Sequence, residues 1–334
     1  MLTFQNGKEF SEIVKLKQKG ERKPIPVMWS PVIKEDLRNS IDSLDYFFKD
    51  DGFRDQFQLN NDESQRIQGA LEKNCVCEEY QQKFFKCKKY VYNSLNSEMD
   101  LSGTKNEFIF SFPPGGDTYP WSTFVCGSSG AGKTHWVVDL IKKNMDGKKA
   151  DRRKFIYISN ELEIDKTLQP LRTEKYRDYF TGIDISEQAI EESEMSPIEY
   201  FEKVVKSRIS NAARGTVVVA DDAQDSDPQL ADLMRRQIIK LQRVGRHMAV
   251  GVIFLLHKLS SGLWSSQAYS SCRYIVCFPR SMKNRIRKLL EDELGIPKRT
   301  AERHILDFSQ TGRAMILRMH SPCCFINEKL LRLM

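Results

Sequence analysis

One short stretch combines glycines, a lysine and a threonine at a spacing that suits a single chemistry: Phe124-Val-Cys-Gly-Ser-Ser-Gly-Ala-Gly-Lys-Thr134. Gly127, Gly132, Lys133 and Thr134 satisfy G-x-x-x-x-G-K-[ST]. Between the outer glycines lie Ser128, Ser129, Gly130 and Ala131, small enough for the backbone to curl until successive N–H groups point at an anion. Lys133 brings a positive point charge to the β- and γ-phosphates of a nucleoside triphosphate, and the Thr134 hydroxyl is a ligand for Mg²⁺. A second acidic element follows about 90 residues later, where Thr216-Val-Val-Val-Ala-Asp-Asp222 ends an unbroken β-branched run in two carboxylates. Asp221 would hold the metal, directly or through water, and Asp222 would orient and polarise the attacking water. A bare apolar run ending in two aspartates says little alone, but downstream of a phosphate loop it completes a hydrolytic site.

These residues need rigid elements to place them. Trp121 to Cys126 reads as a short buried strand and His135 to Lys143 as the start of a helix, whose N-terminal dipole adds to the anion site. The acidic pair falls at the C-terminal end of its strand, where open α/β sheets bind ligands. Strand-like and helix-like patterns alternate from about residue 106 onward, which predicts a mostly parallel sheet flanked by helices. After the phosphate loop come a strand at Lys154–Ile158 and a polar, acidic stretch from 160 to 195 with loops and a short helix. Ser196-Pro-Ile-Glu199 has the residues of a capping box opening a helix. Asp227-Pro228 caps a further helix expected to run to about Val244, and Ala249–Leu256, ended by His257, is a second fully buried strand. A third strand, Tyr274–Phe278, precedes Pro279-Arg280. Helices are expected at Met282–Asp292 and about Lys298–Asp307, then a closing β-hairpin of Ala314–Met319 and Cys323–Ile326.

Residues 1 to 105 carry little chemistry and predict a helical or irregular extension, with helical apolar spacing at Ile41, Leu44, Phe47 and Phe48. Pro24, Pro26 and Pro31 break its opening. Cys75, Cys77 and Cys87 suggest zinc only weakly, because structural zinc wants four ligands and no fourth Cys or His stands nearby. Glu107–Phe112 alternates as a strand and is taken as the start of the second domain, which spans 106–334.

Composition narrows the class. At 334 residues, 29% of them charged, the chain can bury a full core, and its longest apolar run, Ala249–Leu256, is far too short to span a bilayer. The opening residues show no basic-then-apolar signal pattern, so a secreted protein is not expected. Eight cysteines without framework spacing fit a reducing compartment. From Arg273 onward 13 Lys and Arg face 6 Asp and Glu, which accounts for the whole formal surplus of +7. Either a solvated face or a surface gripping phosphate backbone would carry such charge.

In order, the phosphate loop, Val219-Ala-Asp-Asp222, Gly245-Arg-His-Met-Ala-Val-Gly-Val-Ile-Phe-Leu-Leu256 and Ser270-Ser-Cys-Arg-Tyr-Ile-Val-Cys-Phe-Pro-Arg280 resemble segments of the genome-packaging ATPases of large DNA viruses and virus-like transposons. These form the poxvirus-type branch of the FtsK–HerA superfamily, and the likeness covers roughly residues 106 to 330. It implies a P-loop NTPase fold of RecA-like kind, ATP as substrate with Mg²⁺, and an oligomeric ring around double-stranded DNA working on a capsid or portal-like viral protein. The place of action it implies is a viral assembly site in the host cytoplasm or nucleus, or the virion itself. Two positions depart from the pattern. His257 stands where the family places a glutamine that senses the γ-phosphate, and Phe278 stands where asparagine is usual before Pro279-Arg280. The resemblance also implies an arginine supplied by the neighbouring subunit, for which Arg246 and Arg280 are the candidates. A helicase or other DNA pump would use the same core chemistry, and a nucleotide-ordered structural protein is a third class. The absence of an Asn-Lys-x-Asp stretch speaks against the common guanine-specific GTPases.

Overall fold

The computed structural model describes residues 2–3, 8–16, 22–29, 41–73, 75–100, 108–110, 122–146, 152–257, 259, 272–319, 323–327 and 329–333, with the backbone alone for 2–3, 8–16, 22–29, 41–43, 46, 92–100, 108–110 and 246. The N-terminal part combines strands with helices. β1 (Leu2–Thr3), β2 (Lys8–Leu16) and β3 (Arg22–Trp29) lie antiparallel, and Pro24 and Pro26, read from sequence as breakers, sit within β3 opposite Val14 and Glu12. Helices Ile41–Lys49, Asp51–Phe57, Asn61–Glu72 and Gln81–Ser97 follow. Leu44, Phe47, Phe53, Ile67, Phe84 and Val91 build their common core. Cys77 and Cys87 belong to that core too, so burial among apolar neighbours accounts for two of the three clustered thiols. Asn60 and Glu63 close a capping box at the third helix, an N-terminal signal that sequence reading passed over.

β4 (Glu98–Asp100) and β5 (Phe108–Phe110) then diverge. β5 pairs with β2 and completes a four-stranded sheet, whereas β4 joins the large sheet of the second half. Of the strand expected at 107–112, the described part, Phe108–Phe110, therefore extends the N-terminal sheet.

The large sheet begins with β6 (Ser122–Cys126), followed by helix Lys133–Met145, β7 (Phe155–Ser159) and β8 (Phe180–Asp184). β9 (Val217–Asp221), helix Pro228–Met248, β10 (Gly251–Leu256) and β11 (Tyr274–Cys277) continue it. Helices Pro279–Leu294 and Lys298–Thr311 precede β12 (Met315–Arg318), β13 (Cys324–Ile326) and β14 (Leu330–Leu333). Among the described residues the order is β4-β14-β13-β12-β11-β6-β10-β9-β7-β8. The six strands from β11 to β8 are parallel, and the other four are antiparallel.

Every residue of β6, β7, β9, β10 and β11 is buried, as expected of strands covered on both faces. One face packs Phe124, Ile158, Val218 and Phe254 against Leu230, Met234 and Ile238 of the Pro228–Met248 helix and against Ile286, Ile305 and Phe308. The opposite face packs Val125, Tyr157, Val219 and Leu255 against Val137, Val138 and Ile141 of the Lys133–Met145 helix. The alternation of strand residues between these cores is the period-2 geometry of a pleated sheet with helices on both sides.

Several boundaries move. The Pro228 helix runs to Met248 rather than Val244. Gly245 lies inside the helix, at a position where a Cβ would sit 2.5 Å from the Val250 carbonyl oxygen, and the helix stops only where Ala249 turns left-handed (φ 52). β8 and β14 escape sequence reading. Phe-Thr-Gly-Ile-Asp in β8 is a half-exposed edge strand without a clean pattern, and Leu-Leu-Arg-Leu in β14 is too short to carry one. The capping box at Ser196 and Glu199 forms as expected, and that helix widens to π geometry over Phe201–Lys206. No helix of the described residues is long and apolar enough to cross a membrane.

Candidate functional site

β6 delivers the chain to the phosphate loop at the C-terminal edge of the parallel strands. Gly127 donates its N–H to the Leu256 carbonyl at 3.3 Å, and Ala131 closes the loop by donating to the Ser128 carbonyl at 3.1 Å. Gly130 (φ 72) and Gly132 (φ 97) both adopt backbone that L side chains rarely reach. Gly127 is required by space instead: a Cβ there would lie 2.9 Å from the Phe278 ring and 3.0 Å from Ala131 Cβ. Ser128 is half-buried, and Ser129 and Gly130 are exposed, so the loop presents its middle to solvent. Its helix starts at Lys133, which leaves the unpaired N–H groups of the first turn beside the loop.

β9 and β10 lie next to β6 in the order β6-β10-β9, so the acidic strand end and His257 come to the same edge. The Thr134 hydroxyl donates to Asp221 Oδ2 at 3.2 Å, and the Tyr157 hydroxyl donates to the same oxygen at 2.5 Å. Asp221 Oδ1 is buried without a hydrogen-bond partner. Burial first, and then the charge of Asp222, push the Asp221 carboxyl up from 3.8 to about 7, against the opposing pull of Tyr157, Lys133 and Thr134. Burial drives the Tyr157 phenol well above its ordinary value, so it remains the donor in this pair.

Asp222 turns out of the strand in a left-handed conformation (φ 46, ψ 34), which aspartate tolerates better than most residues. The turn brings its carboxylate to the next group. His257 Nε2 lies 2.8 Å from Asp222 Oδ2, and His257 Nδ1 lies 3.0 Å from Lys133 Nζ. An ammonium has only protons to give, so Nδ1 must accept from Lys133 and Nε2–H must donate to Asp222, which fixes the tautomer. Lys133 Nζ itself is 3.8 Å from Asp222 Oδ2, and its side chain is almost wholly buried. Gln224 donates to Asp222 Oδ1 at 3.1 Å. Asp222, Asp225 and His257 also bring ligand atoms within 4.8 Å of one another.

The structure thus gathers Lys133, Thr134, Asp221, Asp222 and His257 around one loop. Arg280 is not among them: it lines a cleft beside Ala131 of the loop and donates Nε–H to the Ser309 carbonyl at 3.1 Å. Arg246 sits near the end of the Pro228–Met248 helix, and its side chain is outside the described residues. Three contributors are absent from the sequence-based site. Tyr157 had a signal, a hydroxyl placed inside an apolar strand, but Gln224 and Arg313 had none. Arg313 reaches across from the start of β12 to donate Nε–H to the Ala131 carbonyl at 3.1 Å.

Residues 118–300 match the family model described as "Poxvirus A32 protein". No curated protein matches the chain. Among solved structures, the genome packaging NTPase B204 of Sulfolobus turreted icosahedral virus 2, in complex with ATP-gammaS, aligns at 14% identity and TM-score 0.33, covering 64% of this chain and 96% of that one. The cytoplasmic domain of the Type VII secretion ATPase EccC of Thermomonospora curvata aligns at 12% identity and TM-score 0.40, over 71% of this chain and 28% of that one. EssC (ATPases 2 and 3) of Geobacillus thermodenitrificans aligns at 13% and 0.40, over 72% and 44%.

Proposed function

The chain belongs to the poxvirus A32 protein family, and on that premise we propose that it is an ATP-hydrolysing translocase that drives double-stranded viral DNA into a capsid. The observation that carries the chemical half of this reading is the meeting of Lys133, Asp222 and His257 beside a glycine-shaped anion loop.

In this reading the loop from Gly127 to Gly132, with Ser128, Ser129, Gly130 and Ala131, wraps the phosphates with backbone N–H groups, helped by the helix dipole. Lys133 exchanges His257 Nδ1 for a phosphate oxygen. Asp222, released from part of its pairing, takes up the attacking water and holds it in line with the γ-phosphate. His257 then has an Nδ1 lone pair that can follow the γ-phosphate through a water donating one O–H to Nδ1 and the other to a phosphate oxygen, the sensing role.

Mg²⁺ suits the neighbouring residues. Asp221 Oδ1 is a buried oxygen with no other partner, and the Thr134 hydroxyl is bonded to the same carboxylate. Thr134 and Asp221 would hold the ion, whose charge would neutralise phosphate oxygens in the transition state.

The DNA half rests on charge. Arg280, Lys283, Arg285 and Lys288 all lie on the exposed face of the Pro279–Leu294 helix, while much of the remaining C-terminal surplus is spent in ion pairs such as Arg303–Asp50 and Arg332–Asp307. Such a face grips phosphate backbone without reading sequence. A homo-oligomeric ring acting with a capsid or portal-like protein at viral assembly sites completes the proposal. Arg246 and Arg280 are the candidates for the cation donated by a neighbouring subunit.

Lys133→Ala and Asp222→Ala should each abolish DNA-stimulated ATP hydrolysis. Retained turnover in both variants would overturn the assignment. Strand displacement on blunt duplex would mark a helicase instead.

A further inference from the structure

The phosphate loop has two unlike flanks. On the β10 and β9 side stand His257, Asp221 and Asp222. On the other side of β6 comes β11, whose exit carries Phe278, Arg280 and Ser281, and then β12, preceded by Arg313. A cleft of about 330 Å³ opens there, lined by Ala131, Phe278, Arg280, Ser281 and Arg313. None of these residues is acidic. The Arg313 guanidinium is tethered by its Nε to the Ala131 carbonyl and lies against Gly132 so closely that any Cβ at that position would collide with it.

A nucleoside triphosphate is as two-ended as this loop. Its hydrolysable end must reach the carboxylates and the imidazole, which places the other end across the loop, on the β11 side. We propose that this cleft receives the nucleoside of the bound triphosphate, with the planar guanidinium of Arg313 as the surface on which the base lies and Arg280 as the outer wall. The proposal rests on the triphosphate reading of the loop. One face of the guanidinium lies over Gly132, so the opposite face is the one offered to a base; such a group stacks on aromatic rings and is weakly hydrated. With no carboxylate in the cleft, an electron-rich base and a phosphate tail meet no repulsion. The collision at Gly132 gives that glycine a second reason to be there: it leaves room for the arginine as well as for the turn.

The test separates the two ends of the ligand. Binding of ATP and of inorganic tripolyphosphate, each with Mg²⁺, is measured by calorimetry on the full chain, its Arg313→Ala and Arg313→Lys variants, and Lys133→Ala as control. Thermal melting verifies that each variant is folded. Lys133→Ala should weaken both ligands. Both Arg313 variants should weaken ATP by about tenfold, the scale of one guanidinium–ring interaction, and leave tripolyphosphate within about twofold. Equal loss of both ligands in Arg313→Ala would overturn the proposal and make Arg313 a prop for the loop, and unchanged ATP affinity would overturn it outright. Failure of the unaltered chain to bind either ligand would instead sink the triphosphate reading beneath it.

Discussion

Asp221 should make magnesium binding depend steeply on pH near neutrality. Its carboxyl is buried, faces the charge of Asp222, and is displaced from 3.8 to about 7. That displacement corresponds to about 4 kcal/mol between the two protonation states, an upper bound on what ionised Asp221 costs the fold. A proton and a divalent cation compete for the same oxygens. With a midpoint near 7, about a tenth of the carboxyl is ionised at about pH 6 and nine-tenths at about pH 8, so apparent Mg²⁺ affinity should rise about tenfold between them. Titrating Mg²⁺ against nucleotide binding at the two pH values measures this, and Asp221→Asn should abolish the slope.

Stability without metal must move the other way. Because folding raises this pKa, the neutral carboxyl's contribution is complete below 3.8 and is lost as pH climbs through about 7. In a chelator, Asp221→Asn should therefore melt higher than the parent at about pH 8 and by a clearly smaller margin at about pH 5. The asparagine can still accept from Tyr157, so the comparison isolates charge. If Mg²⁺ affinity proved flat from pH 6 to 8, or the slope survived in Asp221→Asn, the reasoning from burial would be wrong.

Further expectations rest on other pairings in the fold. Gly132→Ala should cost at least about 1–2 kcal/mol from its left-handed backbone alone, and adding Arg313→Ala should recover the steric part of the loss but not the backbone part; denaturant melts of the double-mutant cycle would show it. Arg303→Ala, which breaks a partly exposed pair with Asp50, should cost less than about 1 kcal/mol, whereas Asp50→Ala should cost roughly 1 kcal/mol more because Asp50 also caps the Asp51–Phe57 helix. Asp307→Ala should destabilise by about 1–3 kcal/mol, since it removes a charge-assisted hydrogen bond from a mostly buried Arg332. Neutralising Lys283, Arg285 and Lys288 together should lower the salt slope of DNA binding by about 0.9 for each phosphate that is no longer neutralised, read from affinity against salt concentration.

The sequence revealed what local chemistry dictates. The phosphate loop, the β-branched run ending at Asp221 and Asp222, and the capping residues Ser196 and Asp227 act within a few neighbours of themselves, and each forms where its pattern places it. What stayed hidden depends on distant partners. Arg313 meets Ala131 only because β12 returns near β6 through β11, and nothing around Arg313 signals that return. Tyr157 finds Asp221 because β7 and β9 are neighbours in register, Ser159 opposite Asp221. The strands β2 and β3 were missed for a different reason: polar sequence and prolines argued against them, and pairing in the folded chain overrode that preference.

The last pairing in the large sheet joins β14 to β4, Leu331 opposite Met99, across about 230 residues of chain. Loop closure over such a distance is slow, so the antiparallel end of the sheet should be the last portion to assemble during synthesis. Until Leu330–Leu333 leave the ribosome, β4 and β13 each keep an open edge, the kind of surface on which nascent chains stick to one another. A chain shortened by those few residues would carry that hazard permanently, with its nucleotide loop already built and its aggregation-prone margin never sealed.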